Sequence, residues 1–218
     1  MIKVGDTLPA TTLMEYSEVE GEGCSIGPNP VPVDKATAGK TIALFALPGA
    51  FTPTCSAKHV PGYVAKAAEF RAAGVDEIWC VSVNDAFVMG AWARDQKSGD
   101  KVRMLADGDA AFAKATGLTL DLHGKGMGLR SNRYSMLVRD GKVVTLNVEA
   151  PGKFEVSDAD TLLAQAGAAT ALPAPAPGYV LVIDQTQGDA SVTHGGARAS
   201  TFREMLFVAQ EEHPTARI

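Results

Sequence analysis

Residues 41–59, TIALFALPGAFTPTCSAKH, decide the fold of this chain. The first seven, Thr41–Leu47, are largely apolar and include β-branched and aromatic side chains, a pattern typical of a buried strand. Glu77–Val83 has the same character. Between these runs, residues 56–73 carry apolar or small side chains along one side of a predicted helix. The sequence therefore predicts a β-α-β unit, which favours parallel strands joined by a right-handed crossover.

Further elements follow this unit along the chain. The spacing of apolar residues predicts helices over 85–96 and 109–116. Two β-prone runs, Tyr134–Val138 and Val143–Val148, flank the pair Asp140-Gly141, which is a strong signal for an antiparallel hairpin.

A closing helix is predicted from Ser157, whose spacing to Asp160 has the form of a capping box. The order of these elements predicts an α/β protein with a thioredoxin-like sandwich, in which a central mixed sheet is flanked by helices. Pattern alone leaves another three-layer α/β domain as the alternative.

Composition excludes several classes of protein. The chain has 218 residues, of which 46% are hydrophobic, and a formal net charge of −5. Its Lys and Arg residues form no basic run, so neither nucleic acid nor an anionic membrane surface is expected as a partner. Three cysteines do not suggest a disulfide framework, and the N-terminus lacks the pattern of a secretion signal. A reducing, cytoplasmic location is therefore expected.

The composition also divides the chain. Residues 1–167 are predicted to form the main domain, followed by an Ala- and Pro-rich linker over 168–178. Residues 179–218 have the pattern of a strand, a loop and a helix. Such a short extension is too small for a stable core of its own, so it is expected to dock elsewhere or to be poorly ordered.

Cys55 carries the most specific chemistry, because it lies where a strand ends and a helix begins. Unpaired N–H groups and the positive end of the helix dipole stabilise a thiolate there. Thr52 can bring a hydroxyl into the same pocket, and Pro48 and Pro53 are expected to restrict the backbone and shield the sulfur. Such a thiolate suits attack on a weak, polarisable bond, and a peroxide fits that description.

The motif Pro-x-x-x-Thr-x-x-Cys, formed by Pro48, Thr52 and Cys55, resembles the active-site motif of peroxiredoxins. The string from Pro48 to Tyr63 also resembles the subfamily called type five or type II, the redoxin-domain alkyl hydroperoxide reductases. Two more segments share this resemblance, Val81–Val88 and Arg133-Tyr-Ser-Met136. The resemblance covers roughly residues 1–166.

The resemblance implies a role for each matching residue. Cys55 would be the peroxidatic nucleophile, and Thr52 would hydrogen-bond the peroxide. Arg133 would stabilise the thiolate and orient the peroxide oxygens, and its position directly before Tyr134 matches the family better than that of Arg130. The resemblance also implies a homodimer and no prosthetic cofactor or metal.

The implied reaction is the reduction of hydrogen peroxide or alkyl hydroperoxides, which leaves Cys55 as a sulfenic acid. Some members of the subfamily then use a resolving cysteine near the closing helix, but this chain has no cysteine after position 80. A one-cysteine cycle is therefore favoured, with glutathione, glutaredoxin or a thioredoxin as the reductant. The alternative is a peroxide sensor or redox relay, which passes the oxidation to a partner protein.

Three other residues have competing interpretations. Cys80 lies in an apolar strand and is interpreted as a packing residue rather than a resolving cysteine. Cys24 lies in the stretch from Ser17 to Pro32, which is expected to be an exposed excursion, and is interpreted as a spectator. His59 is interpreted as structural, while a Cys-His hydrolase dyad or a zinc site with Cys55 is less well supported.

A second, less specific resemblance concerns the extension. Residues 179–215 resemble a fragment of capsular polysaccharide biosynthesis proteins. The fragment lacks the remainder of a sugar-nucleotide site, so no transferase activity is expected from it.

Overall fold

The computed structural model describes residues 1–18 and 26–170. The strands are β1 (Thr12–Ser17), β2 (Gly27–Pro32), β3 (Thr41–Leu47), β4 (Glu77–Ser82), β5 (Arg103–Ala106), β6 (Thr119–Leu122), β7 (Gly128–Ser131), β8 (Tyr134–Arg139) and β9 (Lys142–Val148). The helices are α1 (Val33–Thr37), α2 (Val60–Ala65), α3 (Ala67–Ala72), α4 (Ala86–Asp95), α5 (Ala111–Thr116) and α6 (Ala159–Thr170), with a π-helical turn at Cys55–His59.

Seven of the strands form one sheet in the order β2-β1-β5-β4-β3-β8-β9. The pairs β3–β4 and β4–β5 are parallel, whereas the others in this sheet are antiparallel. Strands β6 and β7 form a separate two-stranded sheet. The predicted thioredoxin-like fold with a mixed central sheet is confirmed.

Strand β3 is buried on both of its faces, because its side chains alternate between two hydrophobic cores. Ala43, Phe45 and Leu47 pack in the core that contains residues of α2, α3, α4 and α6. Ile42, Leu44 and Ala46 pack in the core that contains residues of α5 and the N-terminal segment. This explains the nearly continuous apolar run in the sequence.

The predicted β-α-β unit is present, since β3 and β4 pair in parallel from Ile42–Glu77 to Leu47–Ser82. The helix predicted over 56–73 is divided into the π-helical turn, α2 and α3. Pro61, which has no N–H to donate to the preceding turn, lies at the start of α2. The backbone of Lys66 leaves the helical region and separates α2 from α3.

The predicted hairpin is confirmed by the pairing of β8 with β9. Asp140 and Gly141 form its two-residue loop, with φ of 49° and 72°. Positive φ at both positions is what a type I′ turn requires, and it matches the right-handed twist of the strands.

Two expectations from the sequence are wrong. Gly27–Pro32 is not part of an exposed excursion but forms the edge strand β2, paired with β1. Its prolines occupy every second position, so the missing N–H groups fall on one side, which an edge strand tolerates. The capping residue of α6 is Asp158 instead of Ser157, because Oδ1 of Asp158 accepts from the Thr161 amide at 3.0 Å.

Met1–Ala171 forms one compact unit, which includes every described residue. The predicted linker over 168–178 begins inside α6, and its remainder and the extension over 179–218 lie outside the described residues. The predicted domain boundary, the role of the extension and its resemblance to capsular polysaccharide proteins therefore stay predictions. None of the helices in residues 1–18 and 26–170 is sufficiently long and apolar to span a bilayer.

Candidate active site

Cys55 lies beyond the carboxyl end of β3, at the start of the helical segment that crosses back over the sheet. Its side chain is completely buried. The Ser56 amide donates to the Thr52 carbonyl at 3.0 Å, so the peptide units around the sulfur already have a helical arrangement. Cys55 is therefore in the first turn, where backbone N–H groups favour an anion.

The loop between β3 and Cys55 is held by the side chain of Asn84, which follows β4. Oδ1 of Asn84 accepts from the Ala50 amide at 2.9 Å and from Oγ of Ser82 at 2.7 Å. Phe51, which follows Ala50, has a φ of 60°, and this is a strained value for a residue with a side chain. The contact to Asn84 helps to maintain this conformation and so fixes the path of the chain into Cys55.

Arg130 fixes the same loop from another side. Its Nη1 donates to the carbonyl oxygens of Val83 at 3.1 Å and Pro48 at 3.5 Å. Its Nε donates to the carbonyl oxygen of Met127 at 2.7 Å. Gly49 allows this approach, since a Cβ there would lie 3.1 Å from Nη1 of Arg130. The Arg130 guanidinium is thus used to hold backbone carbonyls.

Arg133 is the guanidinium that reaches the sulfur. Its Nη2 donates to Sγ of Cys55 at 3.3 Å, and its Nη1 donates to Nδ1 of His59 at 2.9 Å. The face of the Phe154 ring lies 5.6 Å from its Cζ, within the range of a cation–π contact. Arg133 therefore places a fixed positive charge within hydrogen-bond distance of the Cys55 sulfur.

His59 connects Arg133 to the segment before α6. Because Arg133 can only donate, Nδ1 of His59 accepts and the ring proton is on Nε2, which donates to the Ser157 carbonyl at 3.0 Å. Burial, reinforced by the charge of Arg133, lowers the pKa of His59 to about 3. His59 is therefore a neutral positioning group for Arg133.

This geometry decides the competing interpretations of His59. Both ring nitrogens are engaged by groups other than the sulfur, so the arrangement is not that of a Cys-His hydrolase dyad. Within the described part of the chain, no group of His, Cys, Asp and Glu side chains is placed to hold a metal ion.

Known proteins are similar to this chain in sequence and in fold. The redoxin family model matches residues 3–163. The chain is 49% identical over 164 residues to peroxiredoxin-2E of Arabidopsis thaliana, a match that covers 74% of this chain and 68% of the relative. The chain belongs to the redoxin family and is a peroxiredoxin.

Two solved structures are similar to this chain in fold and in sequence. Reduced Prx3 of Vibrio vulnificus, crystallised with hydrogen peroxide, has a TM-score of 0.70 and 52% identity, covering 76% of this chain and 99% of that one. A protein of Burkholderia cenocepacia, provisionally named a thioredoxin reductase, has a TM-score of 0.74 and 63% identity, covering 75% and 97%. As a peroxiredoxin, the chain is a thiol-dependent peroxidase, and its family uses no prosthetic cofactor.

The remaining predicted residues of this peroxiredoxin lie in the loop before Cys55. Oγ1 of Thr52 donates its proton to the Gly49 carbonyl at 2.8 Å, so the lone pairs of this hydroxyl are what it can offer to a ligand. Pro48 is half-buried and gives its carbonyl to Arg130, whereas Pro53 is exposed. The expectation that Pro53 shields the sulfur stays a prediction.

Of the other two cysteines, Cys80 lies within the described residues. Cys80 is fully buried in β4, in the same hydrophobic core as Cys55, and burial raises the pKa of its thiol well above the usual value. This environment agrees with its interpretation as a packing residue. Cys24 lies outside the described residues.

Sequence reasoning missed several residues that support the site. Asn84 could have been found, since a polar residue directly after a buried strand lies at the sheet edge where Cys55 is expected. Ser157 and Phe154 had no such signal, because their contacts with His59 and Arg133 join segments far apart in the chain.

Proposed function

We propose that this peroxiredoxin reduces hydrogen peroxide and alkyl hydroperoxides through a sulfenic acid at Cys55. The observation that carries the proposal is the 3.3 Å hydrogen bond from Nη2 of Arg133 to Sγ of Cys55. This contact places a permanent positive charge at the Cys55 sulfur, which lies at the start of a helical segment. In this proposal the nucleophilic sulfur and a guanidinium that can donate to peroxide oxygens lie side by side.

In the first step, the Cys55 thiolate attacks one oxygen of the peroxide. A sulfur–oxygen bond forms and the oxygen–oxygen bond breaks, so sulfur is oxidised to the sulfenic acid and the peroxide is reduced. The other oxygen leaves as hydroxide or alkoxide and takes a proton from water. Charge moves from sulfur to the leaving oxygen, and Arg133 can stabilise it at both positions.

Thr52 and Pro48 have supporting roles in this proposal. The Thr52 hydroxyl, with its own proton given to Gly49, accepts a hydrogen bond from the O–H of the peroxide and so orients it towards the sulfur. Pro48 begins the loop and fixes its first φ angle, which limits the conformations that the loop can adopt before Cys55.

In the second step, we propose that an external thiol restores Cys55. Attack of glutathione on the sulfenic acid forms a mixed disulfide and releases water, and a second thiol, from glutathione or glutaredoxin, then releases Cys55. A thioredoxin dithiol is the other candidate. The absence of cysteine after position 80 and the complete burial of Cys80 support this one-cysteine cycle over an internal disulfide.

Peroxide consumption tests the proposal directly. The purified protein is supplied with glutathione and glutaredoxin, or with thioredoxin and its reductase, and hydrogen peroxide or tert-butyl hydroperoxide is followed over many turnovers. Cys55→Ser is expected to abolish consumption, while Cys80→Ser is expected to retain it. Mass spectrometry after one equivalent of peroxide should show a Cys55 sulfenic acid that glutathione converts to a mixed disulfide. A disulfide from Cys55 to Cys80 or Cys24 would contradict the one-cysteine cycle.

The second candidate function is a peroxide sensor or relay that shares the same reactive thiolate. It predicts a single stoichiometric oxidation of Cys55 with every reductant, followed by transfer to a partner protein. Sustained consumption with any of the reductants above would contradict it.

We also propose a homodimer of the type-five or type-II subfamily, located in the cytoplasm. Phe51 and Phe87 support the dimer, since 53% and 64% of their surfaces are exposed although both are large and apolar. Sedimentation equilibrium should give twice the mass of 22.7 kDa. Phe87→Lys should shift the protein to the monomer.

A further inference from the structure

One oxygen of the Glu149 side chain is surrounded by hydrogen-bond donors. Oε1 accepts from the backbone amides of Glu155, Val156 and Ser157 and from Oγ of Ser157, each at 2.8 Å. Only 8% of the residue is exposed. Three successive amides bonded to one carboxylate fix the backbone of that segment, which we name the 154–157 segment.

The 154–157 segment in turn contacts the groups around Arg133. The Ser157 carbonyl accepts from Nε2 of His59 at 3.0 Å and from the Tyr63 hydroxyl at 2.9 Å. The Phe154 ring packs on the edge of His59, with centroids 5.0 Å apart, and its face lies against the Arg133 guanidinium. If the segment moved, Arg133 would lose both its imidazole acceptor and its aromatic contact in their present positions.

Glu149 is also joined to Arg133 through the backbone. The Glu149 amide donates to the Arg133 carbonyl at 3.0 Å, at the end of the β8–β9 hairpin. The backbone of Glu149 is therefore hydrogen-bonded to the backbone of Arg133. The side chain of Glu149 holds the 154–157 segment, and this segment supports the Arg133 guanidinium.

The carboxylate form of Glu149 suits this arrangement. Burial raises the pKa of Glu149, but the amide and hydroxyl donors of residues 155–157 outweigh burial and lower it below the usual value. The side chain is thus an anion that accepts from donors only. Charge-assisted hydrogen bonds of this kind are about twice as strong as neutral ones.

We propose that Glu149 is a positioning residue for Arg133, acting through the 154–157 segment and His59 on the reactivity of Cys55. The inference rests on the proposed function of Cys55 and Arg133. In this inference, the Glu149 carboxylate touches neither the sulfur nor the peroxide. It keeps the Arg133 guanidinium in position.

The test compares Glu149→Ala and Glu149→Gln with a matched control, Glu155→Gln. Glu155 belongs to the same segment, but its side chain is exposed and pairs with Lys153. Two readouts are the second-order rate constant of Cys55 with hydrogen peroxide in a single turnover and its alkylation rate by iodoacetamide at neutral pH. Circular dichroism and urea unfolding verify that each variant is folded.

Glu149→Ala is expected to lower the peroxide rate constant by roughly 10- to 100-fold, because displacing a catalytic group by about 1 Å has an effect of that size. Glu149→Gln keeps an oxygen acceptor and should lose less, and Glu155→Gln should match the wild type. Hydrogen exchange at the amides of 155–157 should accelerate in Glu149→Ala only.

A double-mutant cycle separates positioning from general destabilisation. In an Arg133→Met background, Glu149→Ala should change the peroxide rate by less than about twofold, since the group on which it acts is gone. A full additional loss in that background would overturn the inference, as would a folded Glu149→Ala protein with wild-type rates.

Failure of the proposed function has a different signature. If wild-type Cys55 reacted with peroxide no faster than free cysteine, the role of Cys55 itself would be wrong. A fast wild type with an equally fast Glu149→Ala would remove only the role of Glu149.

Discussion

The role of Arg133 depends on the shape of its guanidinium as well as on its charge. Two nitrogens of this planar group make separate contacts, one with the Cys55 sulfur and one with the His59 imidazole. Arg133→Lys keeps the positive charge but can place only one nitrogen, so we expect the peroxide rate constant to fall by roughly 100-fold. Stopped-flow measurement under single-turnover conditions gives this rate.

Arg139→Lys is the control for this substitution. Arg139 lies at the far end of the same strand β8, is exposed, and donates to the Ala169 carbonyl. Its variant should react with peroxide at the wild-type rate. Equal rates for Arg133→Lys and the wild type would show that charge alone is sufficient at position 133.

His59 links the site to the pH dependence of stability. Its pKa is about 3 in the folded protein against a usual value of 6.5, so between these values the unfolded chain binds more protons. The free energy of unfolding should therefore fall as the pH decreases from 6.5 towards 3.

His59→Gln removes this titration while keeping a donor and an acceptor. The loss of unfolding free energy between pH 7 and pH 4, measured in urea, should be smaller in the variant by about 3 kcal/mol. The wild type compared at the same two pH values is the reference. An identical loss in both proteins would mean that His59 is not the titrating group.

At the scale of elements, two glycines should respond to alanine in opposite directions. Gly141 has a φ of 72° in the β8–β9 turn, where alanine is strained, so Gly141→Ala should lower the unfolding free energy by about 1 kcal/mol. Gly167 lies exposed in α6 with no atom near its potential Cβ, so Gly167→Ala should raise it by about 0.5–1 kcal/mol. Urea unfolding measures both, and two changes of the same sign would contradict the argument.

Elements differed in how well their sequences predicted them. The Asp-Gly turn and strand β3 were predictable because local backbone preference and burial agree there. Strand β2 was not, since its alternating prolines disfavour a strand and only pairing with β1 on a sheet edge permits one. The sequence placed the cap of α6 one residue early, at Ser157. In the structure the Ser157 hydroxyl donates to the Glu149 carboxylate and does not cap the helix.

At the scale of the whole molecule, Met1–Ala171 contains all the residues of the active site. A chain that ends at Ala171 should therefore retain the peroxide rate constant of the 218-residue chain, and its free energy of unfolding should agree within about 0.5 kcal/mol. Stopped-flow kinetics and urea unfolding of both chains are compared, with circular dichroism as the control for folding. A tenfold loss of rate in a folded truncated protein would assign a functional role to residues 172–218.

The sequence by itself determined the central β-α-β unit, the hairpin and the position of Cys55 at a helix start, because burial period, turn chemistry and helix termini are local properties. The resemblance to peroxiredoxins pointed to Arg133, through its place directly before Tyr134. Only the tertiary structure decided which guanidinium meets the sulfur, what holds His59 neutral, and that Glu149 fixes the 154–157 segment. These contacts join residues up to 98 positions apart, and their geometry depends on how β8, β9 and the π-helical turn pack together.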